Sequence, residues 1–288
     1  MKGPEKSLRS LKWCFKESVC ETQLLKLNCM VSAQVRPNLR IPSAALHLPS
    51  AGDHLLFFNP KTKDLSPDGY FAYQTPRALL QDLSVPQSFK RRMWALGSMR
   101  FITPLQIDLK YECLETVRFV KKIKSDYYVG VDRQILECES QLPAVTEFRT
   151  LVYTQSRPSS RSGVAPEMAF IPEHSVQLTF QDRDIVRYSA LTNNPHRVHL
   201  DKLYCRDVEG YEDTIVQGPF VVHSLLKYMH FGLGLSIKAI RYKNTHFMHT
   251  GTTVQIYTHR VSIGQWEVEV RDKNREFVYC KASLSVNE

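Results

Sequence analysis

YSALTNNPHRVHLD, Tyr188 to Asp201, gathers His196 and His199 with two asparagines and a proline, between a polar helical segment and Asp201. Taken alone, Asn, Pro and His in this order are turn formers. An H-x-x-H pair could also turn two imidazoles toward a metal. Zinc, however, needs a third protein ligand even in a catalytic site, and no Cys, His or acid stands at a suitable spacing. The segment downstream of the loop is more specific. In VQGPFVVHSLLKYMHF (216–231), Gly218-Pro219 opens an apolar segment whose Val221, Val222, Leu225, Leu226 and Met229 fall on one helical stripe, with Pro219 suited to the first turn. A helix N-terminus offers unpaired N–H groups and the positive end of a dipole. Because Pro219 has no N–H, the donor would be Gly218, Phe220 or a neighbour, and glycine lets a ligand approach the backbone. Such a donor suits a carbonyl oxygen that becomes an oxyanion. A nearby imidazole could move a proton at the adjacent carbon. Together these are the requirements of a thioester dehydratase or hydratase.

Working outward, HSVQLTF (174–180) alternates as a half-buried strand, and Asp182 stands where a helix N-cap would, before a short helix through Ala190. From Ile237 the period switches to two. Strands are expected near Lys238–Phe247, Thr253–Val261, Gln265–Arg271 and Glu276–Val286, with a turn at Asp272-Lys273-Asn274. One apolar helix followed by an antiparallel meander must bury that helix against a sheet face, which is the hotdog arrangement. The N-terminal half shows the same order more faintly. A helical stretch near Thr75–Leu83 precedes strands at Ala95–Ile102, Glu112–Lys124, Tyr127–Glu139 and Thr146–Gln155. Between the halves lies SRPSSRSGVAPE, Ser156 to Glu167, whose Pro, Ser and Gly mark a solvated connector. The expected fold is therefore α+β, a double hotdog of two antiparallel sheets each wrapped around a central helix. Its parts would be an N-terminal extension (1–54), a degenerate first hotdog (55–155), a linker (156–168) and a catalytic second hotdog (169–288). No histidine occurs between His54 and His174, so imidazole chemistry belongs to the second half.

Composition narrows the classes. Of 288 residues, 43% are hydrophobic, enough for a substantial core. The longest apolar candidate for a membrane span, Phe220 to Ile240, is interrupted by His223, Lys227, His230 and Lys238, so no membrane association is expected. The net charge of +9 attracts anions, yet it is spread along the chain without a nucleic-acid motif, and no nucleic acid is expected as partner. Seven scattered cysteines without a C-x-x-C pair form neither a disulfide framework nor a zinc site. Residues 1–16 carry Lys2, Lys6, Arg9, Lys12 and Lys16 against Glu5 alone, which resembles an amphipathic organelle-import segment or is a basic first helix.

The loop resembles the hydratase 2 (MaoC-like) signature, in which Asp-x-Asn-Pro-x-His carries an acid–base dyad. It resembles more closely the fungal mitochondrial 3-hydroxyacyl-thioester dehydratase type 2 group and relatives such as mesaconyl-CoA hydratase. The matching positions are Tyr188, Ser189, Ala190, Leu191, Thr192, Asn194, His196, Arg197, Val198, His199 and Asp201, with EGY…IVQGPF (209–220), RRMWALG (91–97) and EFRTLVYTQ (147–155) elsewhere. The likeness covers most of residues 55–288. It implies a (3R)-3-hydroxyacyl-thioester dehydratase, a hydro-lyase of mitochondrial type II fatty acid synthesis. The substrate would be carried on acyl carrier protein or coenzyme A, with no metal or redox cofactor, by a chain acting as a monomer or a homodimer of double hotdogs.

By position, the resemblance makes His199 the acid–base histidine. Asn194 falls where the family has its aspartate, and an amide cannot accept a proton at neutral pH, so it can only orient water. His196 is then a candidate second proton carrier or a pin for the loop, Asp201 a candidate to orient His199, and Gly218 the oxyanion donor. Gln217 replaces the family's common histidine. Three further groups have blander roles open to them: His223, a core residue or channel wall; His246 and His249, turn residues; and Arg91 and Arg92, a solvated face or a phosphate contact. The rival readings are a hotdog acyl-thioesterase, disfavoured because the helix from Pro219 to Phe231 has no carboxylate, and a catalytically inactive acyl- or RNA-binding hotdog protein.

Overall fold

The computed structural model describes residues 11–35, 41–158, 167–274 and 277–287. Within them, ten strands carry the fold: β1 (Lys12–Ser18), β2 (Arg91–Phe101), β3 (Lys110–Ile123), β4 (Asp126–Glu137), β5 (Pro143–Thr154), β6 (His174–Thr179), β7 (Ile237–Asn244), β8 (Thr253–Ser262), β9 (Gln265–Asp272) and β10 (Val278–Val286). The α-helices of the same residues are α1 (Glu21–Val35), α2 (Ser43–Leu46), α3 (Pro76–Leu80), α4 (Asp182–Leu191), α5 (Lys202–Tyr204) and α6 (Gly218–Lys227), the last continued by a π turn over Tyr228–Gly232. None of the helices in the described residues is long and apolar enough to cross a membrane.

The strands form one ten-stranded antiparallel sheet in the order β1-β3-β4-β5-β2-β7-β10-β9-β8-β6. From the centre outward, each half repeats the same order of its own strands, so the two halves are copies of one architecture. Where two separate sheets were expected, β2 and β7 pair from Leu96↔Lys243 to Arg100↔Ala239 and fuse them. Trp94 stacks on Tyr242 beside that seam, with ring centroids 4.4 Å apart. Gly97 has no room for a side chain, because a Cβ there would lie 2.2 Å from the Phe148 carbonyl oxygen and 2.3 Å from the Tyr242 hydroxyl.

The interiors of the halves differ. In the second half α6 is buried on all sides from Phe220 to Lys227 rather than along one stripe. That is the behaviour of a helix sealed inside a core. The corresponding α3 of the first half has five residues. The missing helical mass is supplied by α1, whose Leu24, Leu27, Val31 and Val35 join the same buried cluster as Leu225, Leu226 and Met229. Residues 12–35, expected in an extension before the first repeat, are therefore part of the fold. β1 pairs with β3 along its whole length, Lys12↔Thr116 to Ser18↔Lys110. Its period is two, with Lys12, Cys14 and Lys16 exposed and Trp13 and Phe15 turned inward, so residues 12–16 are not part of a basic helix. The rest of the expected import segment, residues 1–10, and most of the linker, residues 159–166, lie outside the described residues. Gln181, not Asp182, occupies the N-cap of α4.

The core also encloses charge. Asp53 is fully buried and receives His223 Nε2 at 2.9 Å and Lys227 Nζ at 2.7 Å, while Lys227 also donates to Ser50 Oγ at 2.9 Å. Burial alone would raise the Asp53 carboxyl, but Lys227 and His223 outweigh it and hold the group well below the usual carboxylate range. His223 is thus a satisfied core residue on the inward face of α6.

Candidate active site

The histidine loop leaves α4 with Thr192 Oγ1 donating to the Tyr188 carbonyl at 2.7 Å. Asn193 takes a left-handed conformation, φ 46°, and its amide donates to the Pro60 carbonyl at 2.9 Å. Asn194 Oδ1 then accepts the backbone N–H of His196 at 3.1 Å, an Asx turn that fixes the loop and leaves the amide NH2 free to address a ligand. The loop also docks on the first half through the Arg197 N–H, which donates to the Asp68 carbonyl at 2.9 Å. Gly69 makes this possible: with φ 82°, a Cβ there would stand 2.6 Å from the Pro195 carbonyl oxygen.

His199 is held by its Nδ1, which donates to the Ile215 carbonyl at 2.8 Å. A carbonyl can only accept, so this bond places the proton on Nδ1 and leaves Nε2 with its lone pair. Burial pushes the His199 imidazole down to about 4, and that of His196 down to about 3 through burial and its His199 neighbour. Both rings are neutral at physiological pH, which leaves the His199 Nε2 lone pair able to act as a base. The same carbonyl tether connects His199 to the segment leading into Gly218. At that helix start, Phe220 and Val221 N–H both donate to the Gln217 carbonyl, at 3.0 and 3.2 Å. Phe220 is thereby removed from the candidate donors, and Gly218 N–H is the one that remains. A Cβ on Gly218 would meet Asn244 Nδ2 at 2.8 Å and Trp94 Cε3 at 3.2 Å, so the glycine also lets β2 approach the helix. Gln217 turns away from the ligand side and donates to the Ile185 carbonyl and Ser189 Oγ.

Asn194, His196, His199 and Gly218 line one cleft of about 270 Å³, with Tyr70 and Trp94 from the first half and Val221 and Met248 from the second. The structure thus brings these four residues into one cleft. Asp201 is not with them. Its carboxylate accepts from Tyr204 N at 2.9 Å as the N-cap of α5 and pairs with Arg197 at 2.8 Å. Asp201→Ala should therefore cost about 1 kcal/mol in chemical denaturation, the value of a lost cap, and leave kcat within about twofold. Arg91 and Arg92 are largely buried rather than on a solvated face, and both line the same cleft. Arg91 donates to the carbonyls of Ser156 and Arg157, and Arg92 to Phe71 O and Ser66 Oγ beside Asp68. His246 reaches the cleft wall, with Nδ1 donating to the Val278 carbonyl at 2.9 Å.

Sequence reasoning missed two buried carboxyls behind His196. Its Nε2 lies 3.7 Å from Asp68 Oδ2 and 3.8 Å from Glu209 Oε1. Only the EGY motif hinted at Glu209, and nothing local signalled Asp68.

These groups make stability depend on pH. His54, His196, His199, His223 and His230 all have imidazoles depressed by burial. The unfolded chain binds their protons first, near 6.5, so each contribution is complete above that pH and is lost as pH falls toward the folded value. Glu209, raised to about 8 by burial and by Asp68, has the opposite sign, and its contribution is lost as pH rises toward 8. Five groups outweigh one. Unfolding free energy should drop by several kcal/mol between about pH 6.5 and 4, measured by urea titration. The scale is ~1.4 kcal/mol for every tenfold difference in proton affinity between the folded and unfolded chain.

A two-repeat sheet encloses a buried helix, with an imidazole loop facing that helix's first turn, and this fold is shared with proteins of the MaoC-like hotdog class. Among solved structures, a MaoC-like dehydratase from Phytophthora capsici superposes with a TM-score of 0.70 at 13% identity, covering 98% of this chain and 96% of that one. Residues 52–250 match the family model for hydroxyacyl-thioester dehydratase type 2, and the chain belongs to that family. It is 32% identical to the mitochondrial hydroxyacyl-thioester dehydratase type 2 of Saccharomyces cerevisiae, over 96% of this chain and 99% of that protein. With the Schizosaccharomyces pombe protein of the same name it shares 27% identity, over 76% of this chain and 79% of its relative.

Proposed function

We propose that the protein is a (3R)-3-hydroxyacyl-thioester dehydratase that interconverts its substrate and the trans-2-enoyl thioester, working in mitochondria as its named relatives do. The observation that carries this reading is the shared cleft of His199 and Gly218, within a chain of the dehydratase family. The thioester carbonyl accepts from Gly218 N–H, which stabilises the enolate-like oxygen. His199 Nε2 removes the α-proton. Asn194 holds the β-hydroxyl, and neutral His196 gives the proton with which it leaves as water while its other ring nitrogen takes one up. Gly218 to Phe231 contains no carboxylate that could direct water onto the carbonyl, so hydrolysis is disfavoured. The carrier is acyl carrier protein, with coenzyme A thioesters as surrogates, and the +9 charge favours such acidic partners.

The test is an assay of purified protein with both 3-hydroxyacyl enantiomers over a range of chain lengths. Turnover of the (3R) form, with the (3S) form inert, is expected. No turnover of either overturns the proposal.

A further inference from the structure

We propose that Glu209 is a proton-relay residue that acts through His196, with Asp68 setting its protonation, and that this pair supplies from other chain segments the acid function Asn194 cannot provide. The inference rests on the dehydratase function proposed for the cleft.

The geometry is that of a relay with one link open. His196 is 5% exposed and Glu209 1%. His196 Nε2 and Glu209 Oε1 are both sealed from solvent without a hydrogen-bond partner, and they face each other at 3.8 Å. Two buried polar atoms left in this state are costly unless they serve each other. The gap exceeds a hydrogen bond, as catalytic contacts often do before a ligand closes them. With Nε2 turned inward, Nδ1 is the nitrogen that remains for the cleft His196 lines. On the far side Asp68 is fixed by Ser66 Oγ, by Tyr70 N at 3.0 Å and by Arg92 at 3.3 Å. Burial would raise its carboxyl, but Arg92 and the hydrogen bonds from Ser66 Oγ and Tyr70 N hold it below the ordinary range, so it is ionised. Burial and that neighbouring charge push Glu209 up to about 8, so it carries a proton at neutral pH.

The step balances. His196 Nδ1–H protonates the departing β-oxygen as the C–O bond breaks. Glu209 O–H passes its proton to His196 Nε2, and His199 Nε2 takes the α-proton. Glu209 is left as carboxylate, His196 as its Nε2–H tautomer and His199 as imidazolium; His199 returns its proton to solvent, and a proton taken from the cleft at His196 Nδ1 sends the Nε2 proton back to Glu209, which restores all three. The groups facing Glu209 are Tyr204, Cys205 and Tyr211 on its own segment, and Asp68, Arg91, Arg92 and His196 from elsewhere.

The experiment is the pH profile of kcat in the dehydration direction for wild type, Glu209→Gln, Asp68→Asn, His196→Ala and the Glu209→Gln/His196→Ala double variant, each checked for folding by thermal denaturation. Wild type should lose rate above about pH 8, where Glu209 ionises. Glu209→Gln should lower kcat roughly tenfold or more with KM within about twofold, and abolish that alkaline limb. In the His196→Ala background it should add nothing, since the relay is already cut. Asp68→Asn should move the limb to lower pH, a readout that survives if the Glu209 variant does not fold. An unchanged limb in both carboxyl variants, or losses that multiply in the double variant, overturns the relay while leaving the dehydratase function intact. A wild type inactive on both enantiomers sinks both.

Discussion

His199→Ala is expected to lower kcat at least ~100-fold with little change in KM, the scale of lost general acid–base catalysis. The ring is one wall residue among many in the cleft, but its Nε2 lone pair is aimed by a backbone tether, the 2.8 Å bond to the Ile215 carbonyl. Because that imidazole is held down to about 4, it is unprotonated across the physiological range. kcat/KM should therefore stay level from neutral pH to about 5 and fall only as His199 gains a proton. Equal turnover by wild type and variant would remove His199 from the chemistry, and a limb near 6.5 would show that the cleft is wetter than its walls suggest.

The second large effect concerns stability. Lys227→Met should cost about 3–5 kcal/mol, because it strands a buried carboxylate that has lost its cation. Lys227 and Asp53 have no exposed surface, and the lysine's ammonium touches both carboxylate oxygens, at 2.7 and 2.9 Å. The paired replacement Asp53→Leu/Lys227→Met should recover most of the loss, since a buried ion pair exchanged whole for apolar groups is often neutral. Urea titration of the three proteins decides it. A single variant as stable as wild type would mean that His223 alone neutralises Asp53.

Legibility in the chain tracks distance along it. The histidine loop and Gly218-Pro219 each announce themselves within a few residues, and a helix start beside a loop of imidazoles is chemistry that spacing can express. The meander from Ile237 onward is readable because its alternation is strong. β1 is not, although Trp13 and Phe15 alternate with lysines there: the basic charge suggests an import segment, and seven residues are too few for the period to prevail. α1 carries an apolar stripe, but without its partner α6 in view nothing distinguishes it from a solvent-facing helix. Asp68 and Glu209 meet at one ring nitrogen from distant parts of the chain, and no local pattern records such a meeting. Asp201 misleads for the opposite reason. It stands two residues from His199 in sequence, yet the chain turns its carboxylate toward Arg197 and Tyr204.

Joining β2 to β7 within one polypeptide has an evolutionary consequence. Were the two halves identical subunits, every substitution would appear twice, and a bulky ring that shaped one mouth would obstruct its mirror image. A tandem gene product escapes this duplication. Trp94 can wall the cleft and stack on Tyr242 of the other half, and α3 can shrink to five residues while α6 keeps its full length. Drift in the first repeat is tolerated wherever it spares the walls that repeat lends to the shared cleft.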